Sequence, residues 1–124
     1  MYDILLVEDN EELAGLLRDF LVDRGYSVLR AARGDDAVRY AERGEVRLVL
    51  LDIMLPGMDG FAVCRQIRKS QNVPVLIMSA KSGKQNKLTG YELGADDYME
   101  KPVDPEILSA KVNALLKRSG RAQE

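Results

Sequence analysis

The chain is 124 residues long, 46% hydrophobic and 31% charged, with a formal net charge of −2. Those values describe one globular domain with a real core and no basic surface for nucleic acid or anionic lipid. The sequence has no histidine and one cysteine, Cys64, which excludes a histidine-containing triad, a His-ligated metal, a phosphohistidine and an internal disulfide.

Met1 leads straight into the aliphatic run "DILLVE" (3–8), with no basic leader before it. No apolar run approaches the ~18 residues of a membrane span, so the expectation is a cytoplasmic chain with no membrane partner. From Asn10 to Arg24, Leu13, Leu16, Leu17, Phe20 and Leu21 recur at helical spacing, and Gly25 follows as a stop. "YSVLRAA" (26–32) reads as a second strand, 35–43 as a short helix ended by Gly44, and "VRLVLLD" (46–52) as the longest buried strand. A helix from Asp59 to about Lys69 follows, with Asp59 as its N-cap and Cys64 as a core residue beside Val63 and Ile67. "VPVLIMS" (73–79) is the fourth strand. A helix over 85–93 ends at Gly94, "DYME" (97–100) is the fifth strand, and 104–118 is the last helix.

Strands that read as continuous apolar runs imply a parallel sheet covered on both faces. The expected fold is therefore α/β and doubly wound, a (βα)5 three-layer sandwich with a five-stranded parallel sheet. Residues 1–118 form the domain, and "SGRAQE" (119–124) reads as a linker or tail.

The polar residues then fall into a pattern. Glu8 and Asp9 follow the first strand, Asp52 ends the third, Ser79 ends the fourth and Lys101 follows the fifth. In an open parallel α/β sheet these positions share the carboxyl edge, where ligands bind. Singly, each has an ordinary explanation: Asp9 as a helix cap, Ser79 as a turn cap, Lys101 as a solvated surface group. Together they are three carboxylates, a hydroxyl and an ammonium on one edge. Carboxylates that converge repel unless a cation or proton intervenes. Oxygen donors alone suit a hard cation such as Mg²⁺. A carboxylate, Mg²⁺, a lysine and a hydroxyl are the equipment for phosphoryl transfer to an aspartate nucleophile, which would explain a charge at the buried end of "LVLLD".

Four segments, "LLVEDNEEL", "LVLLDIMLPGMDG", "VPVLIMSAK" and "GADDYMEKP", resemble in order the signatures of the receiver domain of two-component response regulators, the CheY-like, flavodoxin-like fold. The resemblance spans residues 2–118, and "YELGADDY" is similar to the OmpR/PhoB subfamily, whose members carry a C-terminal winged-helix DNA-binding domain. It implies strand order 2-1-3-4-5. It also implies roles. Asp52 would accept a phosphoryl group from the phosphohistidine of a sensor histidine kinase. Asp9, Asp52 and the Met54 carbonyl would hold Mg²⁺, with Glu8 acting mostly through water. Lys101 would pair with phosphoryl oxygens, Ser79 would move to hydrogen-bond them, and Tyr98 would swing inward behind it. Pro102 would follow a cis bond, and Gly57 and Gly60 would shape the loop after Asp52. Such a domain is a phosphoacceptor that assists its own phosphorylation and slow dephosphorylation, not a turnover enzyme.

Other readings fit less well. A haloacid-dehalogenase-like phosphatase would want a second carboxylate where Met54 stands. A P-loop protein needs a G-x-x-x-x-G-K-[ST] that the chain lacks. A receiver that works without phosphorylation would usually miss one of Glu8, Asp9, Asp52 or Lys101.

The subfamily pairs, once phosphorylated, through its fourth helix, fifth strand and fifth helix. Helical spacing locates that face at Lys87, Leu88, Tyr91, Glu92, Ile107, Lys111 and Arg118, and Asp96 and Asp97 flank the fifth strand beside it. The chain departs from the subfamily at Ile107, where a glutamate normally answers Lys87, and at Lys111, usually an arginine. A homodimer driven by apolar contact is the expectation, and DNA would be reached only through an output domain outside this chain. The fourth helix carries Gly90 in its interior, at a cost of roughly 1 kcal/mol, and is expected to be the least stable.

Overall fold

The computed structural model describes residues 1–81 and 83–118; the tail at 119–124 lies outside the described residues. The elements run β1 (Ile4–Val7), α1 (Glu11–Asp23), β2 (Val28–Ala31), α2 (Gly34–Glu42), β3 (Val49–Asp52), α3 (Gly60–Ser70), β4 (Val75–Ser79), α4 (Lys84–Glu92), β5 (Asp97–Glu100) and α5 (Pro105–Arg118). The strands pair in parallel in the order β2-β1-β3-β4-β5. The fold class is the one that the apolar runs predict, and the strand order is the one that the family resemblance implies.

Each face of the sheet carries its own core. Leu5, Val7, Val49, Leu51, Val75, Ile77 and Tyr98 pack with α2 and α3. Ile4, Leu6, Leu48, Leu50, Leu76, Met78 and Met99 pack with α1 and α5. Side chains alternate with a period of two, and both faces are apolar, so the strands read as unbroken aliphatic runs. Cys64 lies fully buried in the first of these cores, as its spacing predicts.

The helix starts follow side-chain chemistry. Asn10 Oδ1 accepts from the Leu13 amide at 2.9 Å and caps α1, while Asp59 Oδ1 accepts from Ala62 N at 3.1 Å and caps α3. Because Asn10 is the cap, Asp9 is spared that role. Helix α4 has no side-chain cap and only Gly90 among its residues is buried, which leaves it the least anchored element. The Lys101–Pro102 bond is cis.

Candidate functional site at the carboxyl edge of the sheet

Register decides which side chains meet. Val7 pairs with Leu51, so Glu8 and Asp52 stand one residue further in the same row. Both continue the alternation of Leu6 and Leu50, which face the α1–α5 side. On β5, Met99 faces that side too, and Lys101 is two residues beyond it. Lys101 Nζ accordingly sits 2.7 Å from Glu8 Oε1 and 3.0 Å from Asp52 Oδ2. Oxygens of Glu8, Asp9 and Asp52 lie within 4.8 Å of one another. Glu8 and Asp52 are 1% and 4% exposed, whereas Asp9 faces solvent.

Burial raises the pKa of Glu8, and the hydrogen bonds from Lys101 and the Asn10 amide only partly oppose it. Burial also works against the Lys101 charge, but its hydrogen bonds to Glu8 and Asp52 outweigh that and hold it above the ordinary lysine value. Three carboxylates face one ammonium, so these four side chains carry two formal negative charges more than they neutralise. A divalent cation with oxygen ligands fits that donor set and that charge.

The loop after Asp52 is shaped by glycine. Gly57 has φ +84, and a Cβ on Gly60 would collide with Ile53 Cα and stand 2.7 Å from the Asp52 carbonyl oxygen. Glycine at position 60 therefore lets the chain double back directly under the nucleophile candidate. Met54 N donates to Asp52 Oδ1 at 3.0 Å, and the Met54 side chain is exposed. A cleft of about 440 Å³ opens there, lined by Asp9, Ile53, Met54, Leu55, Pro56, Asp59 and Lys81.

Ser79 and Tyr98 belong to the opposite parity. Ser79 continues the alternation of Ile77, and Ile77 and Tyr98 are both in the α2–α3 core. Ser79 Oγ accepts from Lys81 N at 2.9 Å, and Tyr98 Oη donates to Lys81 O at 2.8 Å. The two are thus tied to one peptide segment, a link that the sequence does not advertise. Tyr98 is inward in this conformation, 7% exposed.

The predicted pairing face is largely neutralised within the chain. Lys87 Nζ lies 2.9 Å from Glu100 Oε1 and Lys111 Nζ 2.8 Å from Asp97 Oδ2. Tyr91 Oη donates to Asp97 Oδ1 at 3.4 Å. Asp96 is the residue that sits differently from expectation: its Oδ2 is engaged by Arg68 of α3 at 2.9 Å and by the Val75 amide at 2.8 Å, and it lines a groove with Arg118. Leu88, Tyr91 and Ile107 remain 45%, 46% and 52% exposed; Glu92 and Arg118 also face solvent.

One residue of the site region escapes a reading by motifs. Arg30 of β2 donates to the carbonyls of Glu8 and Asp9. Its signal was visible, a charge within the strand-like "YSVLRAA".

A parallel sheet in this order, with an acidic trio and a lysine at its carboxyl edge, has the architecture of the receiver domains of two-component signalling. The model of the response regulator receiver domain matches residues 4–113, and the chain belongs to that family. It is 44% identical over 117 residues, 94% of the chain, to the alkaline phosphatase synthesis transcriptional regulatory protein PhoP of Bacillus subtilis (strain 168), covering 49% of that protein. The chain spans about half the length of the curated relatives it matches. Among solved structures it is similar to the BeF3-activated N-terminal receiver domain of Klebsiella pneumoniae RstA, with TM-score 0.87 and 35% identity, covering 92% of this chain and 97% of that one. It is also similar to the receiver domain of the sensor histidine kinase PA1611 from Pseudomonas aeruginosa PAO1, solved with a magnesium ion coordinated in its active-site cleft. There the TM-score is 0.86 and the identity 31%, over 94% of this chain and 98% of that one. No helix of the described residues is long and apolar enough to cross a membrane.

Proposed function

We propose that this receiver domain is switched by phosphorylation of Asp52, with the phosphohistidine of a sensor histidine kinase as donor. The observation that carries the reading is the buried Asp52 carboxylate, placed by β3 within reach of Glu8, Asp9 and Lys101. An Asp52 oxygen attacks phosphorus. The bond from phosphorus to the imidazole nitrogen breaks, and that nitrogen keeps the electron pair and takes a proton. Asp9, Asp52 and the Met54 carbonyl, with Glu8 behind them, would hold Mg²⁺. A bound Mg²⁺ supplies charge neutralisation to the phosphoryl oxygens. Lys101 adds a second positive charge on the same side and holds Asp52 from Oδ2 while Met54 N holds Oδ1. Positioning and charge neutralisation are most of what this chemistry needs.

The signal would leave through Ser79. A hydroxyl drawn toward the phosphoryl group gives up its bond from Lys81 N, and Tyr98 is tied to the same residue through Lys81 O. The face of α4, β5 and α5 responds and pairs two copies through Leu88, Tyr91 and Ile107. In the full-length regulator, of the OmpR/PhoB type, that pairing would control a DNA-binding output domain.

Acetyl phosphate with Mg²⁺ should add one phosphoryl group, seen by intact mass, and Asp52→Asn should abolish the addition. An Asp52→Asn protein that is phosphorylated as well as the parent overturns the assignment.

A further inference from the structure

The β1–α1 loop bears two of the three carboxylates, yet the sheet ends beneath it. Glu8 N still donates to Ala31 O at 3.0 Å, the last main-chain bond from this side of the ladder. Beyond it the carbonyls of Glu8 and Asp9 face a side chain. Arg30 Nε and Nη2 donate to Glu8 O at 3.1 and 3.0 Å, and Nη2 also donates to Asp9 O at 3.2 Å. Arg30 stands opposite Leu6 in register, on the same face of the sheet as Glu8, so its stem runs up toward the loop and the fork closes on both carbonyls.

We propose that Arg30 is a positioning residue for the cation: it fixes the Glu8–Asp9 backbone so that the exposed Asp9 carboxylate is presented beside buried Glu8 and Asp52. The proposal rests on the Mg²⁺ site described under the proposed function. Two effects of Arg30 oppose each other. Its charge repels a cation bound nearby, and its fork orders the ligand-bearing loop. Glu11 lies 4.0 Å from Arg30 Nη1 and offsets part of the charge. The hydrogen bonds go to backbone carbonyls at both ligand residues, so ordering prevails. The planar fork puts two nitrogens on Glu8 O while Nη2 also reaches Asp9 O; a lysine has one nitrogen on a freely rotating stem for both carbonyls and holds them less rigidly.

The test compares the parent with Arg30→Lys and Arg30→Met. Without metal, amide exchange is read at Asn10, which donates to Glu8 Oε2, and at Leu13, which donates to Asn10 Oδ1, with Leu50 as a core reference. Mg²⁺ affinity is then read by NMR titration. Both variants should exchange faster at Asn10 with Leu50 unchanged, and both should bind Mg²⁺ about tenfold more weakly, the low end for loss of an outer-shell partner. Arg30→Lys behaving as the parent, Arg30→Met binding Mg²⁺ more tightly, or Leu50 losing protection alongside Asn10 would each overturn the proposal. A parent that binds no Mg²⁺ refutes the cation site instead, while the exchange measurement still decides whether Arg30 orders the loop.

Discussion

Replacing Ile107 by glutamate restores the residue that the subfamily places opposite Lys87, and on pattern alone it should strengthen the proposed dimer. The structure predicts the reverse. Lys87 is already engaged by Glu100 at 2.9 Å, so a new glutamate must compete with an internal partner. An exposed pair of this kind is worth only about 0–1 kcal/mol. What is lost is apolar contact. Full burial of an isoleucine contributes about 1.5–3 kcal/mol. Ile107 is 52% exposed in the monomer, so about half of that, about 1 kcal/mol per protomer, remains to be gained on pairing. A two-fold interface counts the contact twice, giving about 2 kcal/mol per dimer, or about thirtyfold in Kd. Allowing for a partial new ion pair, Ile107→Glu should dimerise about ten- to thirtyfold more weakly than the parent. Sedimentation equilibrium with beryllofluoride and Mg²⁺ measures it. Salt should move the parent's Kd little, because Lys87 and Lys111 are already neutralised within the chain. A glutamate variant that pairs as well as or better than the parent would show that Ile107 is not the driving contact.

Two further perturbations probe the scaffold. Gly90→Ala should lower stability by about 1 kcal/mol in urea unfolding: the ~1 kcal/mol of helix propensity gained is outweighed by overpacking of about 1–3 kcal/mol, since a Cβ would stand 3.0 Å from Ile77 Cδ1 and 3.3 Å from Tyr98 Cδ2. A stabilised variant would show that the space beside Tyr98 has slack. Arg68→Ala should cost about 2–3 kcal/mol, because one charged partner, Asp96, and the carbonyls of Gly94 and Val73 lose their donor together; a loss below about 0.5 kcal/mol would mean that water replaces the guanidinium there.

The sequence exposed what periodicity and local chemistry control. Asn10 and Asp59 could be placed at helix starts, and Cys64 in the core, from spacing alone. Gly90 was legible as a weak point of α4 but not as a fitted one. Its reason is the ring of Tyr98, eight positions along the chain but set against it only by the packing of α4 on β5. By sequence Asp96 reads as part of the pairing face because it adjoins Asp97. Its partner, Arg68, comes from α3, 28 residues away, and nothing in the spacing of "GADDY" announces it. Glu100 likewise reads as a strand residue until α4 folds back and brings Lys87 to it. Long side chains from other elements were the hidden part, because they reach several ångströms beyond the backbone that patterns describe.

The division of the site into two halves has a simpler origin. Side chains in a strand alternate, and a parallel register carries that alternation across neighbouring strands. Glu8, Asp52 and Lys101 continue the positions of Leu6, Leu50 and Met99, all on the α1–α5 face, and Arg30 lies opposite Leu6 on that same face. Ser79 and Tyr98 keep the parity of Ile77, on the α2–α3 face. The three carboxylates and the lysine thus meet on one side of the sheet edge, while the hydroxyl and the tyrosine lie on the other, joined through Lys81. A slip of one residue in β4 against β3 would turn Ser79 to the α1–α5 face, among the carboxylates. Under the proposed function, the present register is what would carry a change of charge at Asp52 to Tyr98 without either residue leaving its strand.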